Sequence, residues 1–355
     1  MRLPFLHRSS ASSSVSCSPS SSSAASGRRR RRLLSTLLLL GLGATTLSAC
    51  GGGGAPDGAV RIGYSAWPGW IPWKVTEEKG LFGVPVTLQW FDGYLDSINA
   101  LNAGQLDCNS QTLNDTISSI AGGADLQVVL TNDNSTGNDQ IIVAEGINSV
   151  ADLEGRQVAA EEGTVDHYLL LLGLEEAGLS ADAITFVPLE TGAAAAAFVA
   201  GQVDAVGVFA PFTTQALRRE GSATLFSSAD FPGAISDHLV CRREFVEANP
   251  EKLQEVVNAW FATLAAMEAD PEGSLAILSA RAGVSEEEYR EYEAGTTLFS
   301  LEDNLRALEP GTTMASLPFA AEQISAFLQQ VGLAASPPDL DGLFEDRFVK
   351  AVQAN

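Results

Sequence analysis

NAGQLDCNSQTLND at residues 102–115 and VAGQVDAVGVFAPF at residues 199–212 contain the same step, Ala-Gly-Gln-X-Asp. In each copy an apolar run predicted as a helix ends at a glycine, the residue that most readily ends a helix. The aspartate that follows leads into a short predicted strand, and a polar or aromatic loop comes after the strand. Because the step recurs at equivalent places in two successive β-α-β stretches, it favours an α/β protein with two lobes.

Short runs rich in valine and isoleucine alternate with helical stretches through the first two thirds of the chain. The predicted strands begin at Ala59, Val84, Leu126, Gln140, Arg156, Ile184 and Asp204. This alternation predicts parallel β-α-β units. After Val240 the pattern changes to long helices, the first of which begins at Pro250. We therefore expect a helical C-terminal tail that returns to the first lobe.

The N-terminus has the order of an export signal. A basic block at 28–32 precedes an apolar stretch at 33–47 and the tetrapeptide Leu-Ser-Ala-Cys that ends at Cys50. This tetrapeptide resembles a bacterial lipobox, which implies that Cys50 is lipidated and becomes the mature N-terminus. GGGGAPDG then has the composition of a flexible tether. An ordinary signal anchor with an incidental cysteine is the alternative, and the pattern does not distinguish Sec from Tat export.

Charge limits the classes of partner. Loss of residues 1–49 removes seven of 21 basic residues and none of the 44 acidic ones, which leaves a net charge of −30. Such a surface disfavours nucleic acids and anionic membrane surfaces. The remaining 306 residues are more than a single hydrophobic core usually stabilises. The predicted divisions are a leader at 1–49, a tether at 50–58, a first lobe at 59–141, a second lobe at 142–236 and a return at 237–355.

Few residues are suited to metal or redox chemistry. Cys108 and Cys241 are the cysteines that follow the lipobox. A bridge between them is permitted in an oxidising compartment, and two separate buried thiols are equally compatible with the sequence. His167 and His238 lack metal-ligand spacing, and TNDNSTGND at 131–139 lacks the closing glutamate of an EF-hand. We therefore expect neither a metal nor a cofactor.

Several motifs resemble the solute-binding proteins of the nitrate/taurine (NitT/TauT) class of ABC importers. They are GYSAWPGW, EEKGLFG, VTLQWFDG and both Ala-Gly-Gln-X-Asp steps, and the resemblance extends over residues 59–355. It implies a periplasmic-binding-protein type II fold, with two doubly wound α/β lobes, a cleft and a hinge. It also implies a monomeric, non-catalytic protein on the periplasmic side of the cytoplasmic membrane, with an ABC permease and ATPase subunits as partners.

A finer resemblance concerns the ligand. FDGYLDSINALNAGQLD, EEGTVDHYLLLLGLEEAG and PLETGAAAAAFVAGQVDAVGVFAPF most resemble the branch of this class that is associated with urea carboxylase pathways. For that branch guanidinium is an implied ligand.

Eight loops follow from the rule that ligands lie beyond the carboxyl ends of the strands in open α/β sheets. They are residues 64–70, 91–97, 109–115, 131–139, 161–166, 190–193, 209–213 and 235–238. These loops contain ten acidic residues and no lysine or arginine. A cation would be attracted to such a cleft and an anion repelled.

A planar cation such as guanidinium can stack on an indole ring and pair with a carboxylate. We expect Trp67 or Trp70 as the platform, Asp92 or Glu162 as the charged partner, and Trp73 in the core. The expected ligand-binding residues are Ser65, Trp67, Trp70, Asp92, Gln111, Asn114, Glu162, Thr164, Phe209 and Asp237. Acidic residues early in helices, among them Asp115 and Asp166, are also compatible with a capping role.

Other functions remain as alternatives. Taurine or another alkanesulfonate, nitrate, or a thiamine-related pyrimidine is a possible ligand, because backbone amides can hold an anion without arginine. A more remote alternative is an enzyme, since fungal thiamine-pyrimidine synthases resemble this family. Those enzymes use a cysteine-rich run that this sequence does not contain.

Overall fold

The computed structural model describes residues 58–352. The strands are β1 (Val60–Tyr64), β2 (Val86–Trp90), β3 (Cys108–Thr112), β4 (Leu126–Ser135), β5 (Asp139–Val143), β6 (Gln157–Ala160), β7 (Thr185–Pro188), β8 (Ala205–Phe209), β9 (Ala223–Ser227), β10 (Ser236–Arg242) and β11 (Thr296–Leu298). The helices are α1 (Pro72–Glu78), α2 (Tyr94–Asn102), α3 (Leu113–Ala121), α4 (Val165–Glu176), α5 (Thr191–Val199), α6 (Phe212–Ala216), α7 (Arg243–Ala248), α8 (Pro250–Ala269), α9 (Pro271–Ala282), α10 (Glu286–Ala294), α11 (Leu301–Ala307), α12 (Leu317–Gln330) and α13 (Arg347–Lys350). The predicted leader, Cys50 and all of the tether except Gly58 lie outside the described residues.

Two sheets divide the strands into two lobes. The first lobe has the order β11-β4-β10-β3-β1-β2, and the second lobe has the order β7-β6-β8-β5-β9. In the first lobe β1 is parallel to β2 and β3, whereas β10 is antiparallel to β3 and β4. In the second lobe β6 is parallel to β7 and β8, whereas β5 is antiparallel to β8 and β9. The predicted parallel β-α-β units therefore account for only part of each sheet.

The chain crosses between the lobes twice. It leaves the first sheet after Ser135 and enters the second at Asp139, and it leaves the second sheet after Ser227 and returns at Ser236. The antiparallel strands β5 and β10 are the first strands after each crossing. The two crossings join the lobes and lie beside the cleft between them.

Long helices follow the return strand, as the sequence pattern predicts. In the core of the first lobe, Trp73 of α1 is fully buried, and its ring centroid lies 4.6 Å from that of Trp260 in α8. Its indole Nε1 donates a hydrogen bond of 3.0 Å to Ser110 Oγ. Trp73 therefore joins the first helix to the sheet and to the C-terminal helices. Within residues 58–352, no helix is both long and apolar enough to span a bilayer.

Each Ala-Gly-Gln-X-Asp step forms the same joint between a helix and a strand. Gly104 follows α2 and Gly201 follows α5, and each has a φ angle of 73°. This left-handed conformation favours glycine because it has no Cβ atom. Because the two joints have the same backbone geometry, both steps have a glycine at this position.

The aspartates of the two steps also have equivalent bonds. Asp107 accepts a 2.9 Å hydrogen bond from the backbone N–H of Arg61, and Asp204 accepts one of 2.9 Å from that of Gln157. Each bond joins the start of one strand to its parallel neighbour. Only Asp107 is also buried between two guanidinium groups, those of Arg61 at 2.7 Å and Arg242 at 3.2 Å.

A disulfide joins Cys108 to Cys241, two residues directly opposite each other in β3 and β10. Their Cα atoms are 4.0 Å apart and 133 positions separate them in the sequence. Of the two arrangements compatible with the sequence, the structure contains the bridge. It attaches the returning strand to the N-terminal part of the first sheet.

We predict that Asp107→Asn destabilises the fold by about 3 kcal/mol, because it leaves two partly buried guanidinium groups without their carboxylate. Asp204→Asn is the matched control. Its carboxylate is 38 % exposed and its ion pair with Arg156 spans 3.7 Å, so a loss below about 1 kcal/mol is expected. Urea unfolding monitored by circular dichroism measures both values. Equal losses would contradict the unequal roles of the two aspartates.

Candidate ligand-binding site

A small cavity lies between the two lobes, at the carboxyl ends of parallel strands such as β3 and β8 and the amino ends of the antiparallel strands β5 and β10. Both lobes line it, through Trp67, Trp70, Tyr94, Thr112, Asp139, Val165, Phe209, Ile235 and Asp237. Its volume is about 10 Å³, which is close to the space needed for one water molecule. A ligand larger than a water molecule therefore requires the cavity walls to move apart. All nine residues lie in loops that the strand-end rule selects from the sequence.

Four aromatic rings enclose the cavity, and each of them contacts two others. The ring centroids of Trp67 and Trp70 are 6.3 Å apart, and those of Trp70 and Tyr94 are 5.2 Å apart. Phe209 from the second lobe completes the circuit at 6.1 Å from both Tyr94 and Trp67. We call these four residues the aromatic frame. Such a frame presents π-faces, which attract cations.

A buried carboxylate positions the loop that carries the two cavity tryptophans. The Nε1–H group of Trp67 donates a 2.9 Å hydrogen bond to Asp133 Oδ1 on β4. The backbone of Gly69 lies so close to this carboxylate that an added Cβ atom would come within 1.8 Å of Asp133 Oδ2. Asp133 therefore determines where the Trp67 ring lies.

Two further carboxyl groups line the cavity, and their oxygens are not all paired with hydrogen-bond donors. Asp237 is 1 % exposed, and its carboxyl bonds to the buried carboxyl of Asp133, a contact that requires a proton between the two groups. Asp139 is also 1 % exposed and its Oδ2 has no partner. Asp237 belongs to the first lobe and Asp139 to the second, so a bound group can contact both lobes at once. Unpaired buried oxygens of this kind favour a ligand that donates hydrogen bonds.

Three more acidic side chains are buried next to the cavity. Asp115 accepts a 2.7 Å hydrogen bond from the Tyr94 hydroxyl. Thr191 lies between Asp166 and Glu161, and its hydroxyl is 2.8 Å from Asp166 and 3.2 Å from Glu161. With the previous three they make six buried acids, which we call the cleft carboxyls: Asp115, Asp133, Asp139, Glu161, Asp166 and Asp237.

Burial away from water raises the pKa of every cleft carboxyl. The pKa rises to about 7 in Asp115, Asp133, Asp139 and Glu161. It rises well above the ordinary value in Asp166 and Asp237, where neighbouring carboxylates add to the effect of burial. The closed cleft therefore holds protons that ordinary aspartates lose near pH 4.

No basic side chain compensates this negative charge. The nine cavity-lining residues include no lysine, arginine or histidine. Within residues 58–352, none of the cleft carboxyls takes part in an ion pair. In the same part of the chain, no three histidine, cysteine or acidic side chains are arranged to hold a metal ion.

Four residues expected from the sequence come together in the cavity: Trp67, Trp70, Phe209 and Asp237. Four others are buried nearby but do not line it: Ser65, Gln111, Asn114 and Thr164. Three of these have bonds to neighbouring groups, since Gln111 donates to Thr116, Asn114 donates to Asp115, and the Thr164 hydroxyl donates to the Glu161 backbone.

The structure does not bring Asp92 and Glu162 into the cavity. Both side chains are exposed, and Asp92 accepts a 2.8 Å hydrogen bond from Trp90 Nε1 at the surface. Glu162 lies one residue beyond the end of the buried segment that contains Glu161. The position expected for their carboxylates is occupied by Asp139 and Asp237 instead.

Five cavity-lining residues were missed by sequence reasoning: Tyr94, Thr112, Asp139, Val165 and Ile235. Three of them carry a signal in the sequence, because Tyr94, Thr112 and Val165 stand at or beside the first residue of a predicted helix. Asp139 ends a polar loop in which several residues are equally good candidates. Ile235 is apolar and has no signal of its own.

His167 and His238 have structural roles. His238 is fully buried, and its ring nitrogens contact the hydroxyls of Ser236 at 2.9 Å and Thr131 at 3.2 Å. Burial lowers its pKa to about 3, so the ring is neutral at physiological pH. His167 stacks on Phe186 with 4.3 Å between the ring centroids.

Two α/β lobes around a cleft lined by strand ends define the class of periplasmic binding proteins, and this confirms the fold class predicted from the sequence. The chain belongs to the NMT1/THI5-like family, whose model matches residues 67–274.

Several relatives are binding proteins by name. A protein of Brucella abortus named as a binding protein is 30 % identical over 207 residues, which cover 56 % of this chain and 63 % of that protein. The chain thus spans less than two thirds of the length of this relative. The alkanesulfonate-binding protein SsuA from Xanthomonas axonopodis pv. citri, solved with bound MOPS, has a TM-score of 0.69 at 22 % identity over 81 % of this chain and 98 % of its own. The periplasmic aliphatic sulphonate binding protein SsuA from Escherichia coli has a TM-score of 0.64 at 27 % identity over 80 % and 96 %.

We predict that Trp67→Phe is more destabilising at pH 8 than Trp70→Phe, by about 1–3 kcal/mol, because it removes the donor that pairs with buried Asp133. Trp70→Phe is the matched control, since the Trp70 Nε1 has no hydrogen-bond partner in the structure. Both variants lose a similar part of the indole ring. Equal unfolding midpoints in urea would mean that the indole–carboxylate bond does not hold this loop.

Proposed function

We propose that this protein is the exported, lipid-anchored substrate-binding component of an ABC importer, and that it captures a small planar nitrogenous cation. Guanidinium is the first candidate. The protein binds this ligand between its lobes and delivers it to the membrane permease and its ATPase subunits. It catalyses no reaction on the ligand.

The capture role is supported by the fold and by the relatives. Two lobes with a cavity between them can enclose a ligand and release it when they separate. The relatives described above are named as binding proteins, and the Escherichia coli structure is titled periplasmic. The export signal and the lipobox-like sequence at Cys50 are consistent with a protein held on the outer side of the cytoplasmic membrane.

The cationic ligand is supported by one observation above all, the burial of six carboxyl groups at a cavity with no basic side chain. A bound anion would place negative charge beside these acids, and no basic side chain of the cavity lining could pair with it. A cation instead supplies the positive partner that the carboxyl groups of Asp139 and Asp237 lack. Because hydrogen bonds to ionised groups are stronger than neutral ones, N–H groups directed at these two carboxylates give both affinity and orientation.

The aromatic frame narrows the class of cation. A flat cation can stack on an indole face while its N–H groups lie in the plane of the ring edges. Guanidinium has N–H donors on all three sides, so it can donate to carboxylates of both lobes at once. A quaternary ammonium ion has no N–H group and would leave Asp139 Oδ2 unpaired. These features favour guanidinium and its simple derivatives.

Sulfonate is the second candidate, and one feature of the structure favours it. Tyr94 and Val165 are the first residues of α2 and α4, and both line the cavity. The positive ends of these helices therefore point towards it, as in many anion sites. Against this, Asp166 lies in the first turn of α4 and the backbone amide of Leu95 in α2 already bonds to Glu161, so carboxyl groups already complement both helix N-termini.

We predict that guanidinium chloride at submillimolar concentration raises the melting temperature of residues 53–355, which form a compact unit, by mass action. Urea is the matched ligand control, since it is planar and of equal size but uncharged, and it is expected to give no shift. Taurine and nitrate are screened alongside at pH 7. A shift with taurine or nitrate and none with guanidinium would overturn the cationic assignment.

We predict that Asp237→Asn weakens guanidinium binding by at least about tenfold, because it removes a charge-assisted hydrogen bond. Trp67→Ala is expected to weaken it by about fivefold or more through loss of the stacking face. Glu162→Gln is the control, since the Glu162 side chain is exposed and outside the cavity. Isothermal titration calorimetry gives the three affinities. Full affinity in Asp237→Asn would show that the Asp237 carboxylate does not contact the ligand.

We predict that Cys50→Ala moves the protein from the membrane fraction to the soluble fraction of a bacterial host, because a lipid chain on this cysteine provides the attachment. Triton X-114 partition measures the change. Ser48→Ala, which leaves the cysteine in place, serves as the control. Membrane attachment that persists in Cys50→Ala would favour an ordinary signal anchor.

A further inference from the structure

The cleft carboxyls are divided equally between the lobes. Asp115, Asp133 and Asp237 belong to the first lobe, whereas Asp139, Glu161 and Asp166 belong to the second. All six are at most 6 % exposed in the closed arrangement. When the lobes close, they therefore bring two groups of three acidic side chains together and remove both from water.

The two groups of acids are joined across the cleft by backbone amides and not by a counter-ion. In the first lobe, Asp237 lies opposite Asp133 in the register of β10 and β4. Across the cleft, the backbone amide of Val165 in α4 faces Asp115 and lowers its pKa, and the amide of Leu95 in α2 does the same for Glu161. Each lobe thus places a carboxyl at the start of a helix of the other lobe.

Groups that face the cleft carboxyls from the surrounding elements are neutral or acidic. Neutral donors come from Trp67, Tyr94, Thr112, Ser135 and Thr191. Tyr289 of α10 and the neutral His238 of β10 pack beside Asp133 and Asp237. Glu190, whose carboxylate caps α5, adds a further negative charge beside Glu161. Nothing in this set neutralises six carboxylates.

A single monovalent cation cannot neutralise all six cleft carboxyls. If guanidinium pairs with Asp139 and Asp237, four buried carboxyls still lack a positive partner. An isolated buried carboxylate is so unfavourable that the group takes up a proton instead. When the lobes separate, Asp115 loses its bond to the Val165 amide and Glu161 loses its bond to the Leu95 amide. Carboxyls that reach water in this way titrate near pH 4, so at pH 7 they return to the closed form only by gaining protons.

We propose that protons are co-ligands of this cleft, so that lobe closure over the cation takes up at least one proton and affinity increases as the pH falls from 8 to 6. This inference rests on the proposed function for its ligand, but the closure of the empty protein does not depend on that ligand. The direction is opposite to that of a simple carboxylate–cation site, in which acid protonates the carboxylate and weakens binding.

The sign follows from linkage. A carboxyl whose pKa is about 7 in the closed form and near 4 in the open form binds more protons in the closed form between these values. Closure is therefore favoured as the pH falls through 7 and is opposed above it. For each proton taken up, the dissociation constant rises about tenfold per pH unit.

The first measurement uses no ligand. Small-angle X-ray scattering and tryptophan emission of residues 53–355 are recorded between pH 8 and pH 5.5. We expect the radius of gyration to fall and the emission to shift to shorter wavelength as Trp67 and Trp70 leave water. A constant radius and constant emission over this range would overturn the inference, whatever the ligand is.

The second measurement counts protons during binding. Guanidinium chloride is added to weakly buffered protein at pH 7 in a pH-stat, which records the acid consumed per ligand bound. We expect at least one equivalent of acid, and a dissociation constant about tenfold higher at pH 8 than at pH 7. Binding with release of protons would overturn the inference while leaving the proposed function intact. If guanidinium does not bind but the lobes close in acid, the proposed ligand is overturned and the proton-linked closure remains.

Asp166→Asn tests a single group. Asp166 lies beside the cavity and one of its oxygens has no partner, so asparagine imitates the protonated form. We expect a lower proton uptake and a higher affinity at pH 8 than in the unaltered protein. Asp92→Asn, at an exposed acid outside the cleft, is the matched control with no change in either quantity. Unchanged proton uptake and pH dependence in Asp166→Asn would overturn the role given to this group.

Discussion

Burial of carboxyl groups without counter-charges is the constraint on which the cleft depends. Each buried acid needs donors, and the structure supplies them from the groups that shape the cavity. Trp67 donates to Asp133 and the Tyr94 hydroxyl donates to Asp115. Two rings of the aromatic frame are therefore oriented by acidic side chains. The positions of the aromatic rings consequently depend on the acidic side chains of the cleft. A substitution of either kind of residue alters the other.

The topology explains why this arrangement lies at the crossings between the lobes. Asp139 is the first residue of β5 and Asp237 is the second residue of β10, and these are the strands entered after each crossing. Asp133 lies on β4, from which the first crossing departs. Three of the six acids thus stand on the segments that must flex when the lobes move. The cavity lining and the crossings are adjacent along the chain, so a ligand bound as proposed at Asp139 or Asp237 would act directly on the connection between the lobes.

The sequence predicts the lobes and the loops well because both depend on local patterns. The strands at Val60, Leu126 and Ala205 are short runs rich in apolar residues, and the rule that ligands lie at strand ends selects the loops that line the cavity. Which acid within a loop is buried depends on packing between distant elements. Glu161 and Glu162 are neighbours of the same type, yet only Glu161 is buried. The polar start of β10 likewise concealed a strand whose partners lie more than a hundred residues earlier.

The order of the strands in the first sheet also affects how the chain can be built during synthesis and export. Strand β10 lies between β3 and β4, so these two early strands lack their shared neighbour until residue 242 has emerged. The second lobe is one continuous segment from Asp139 to Ser227 and can complete its sheet without waiting for later residues. Unpaired strand edges promote association between chains. The half-built first lobe is therefore the stage at which this protein is most exposed to aggregation.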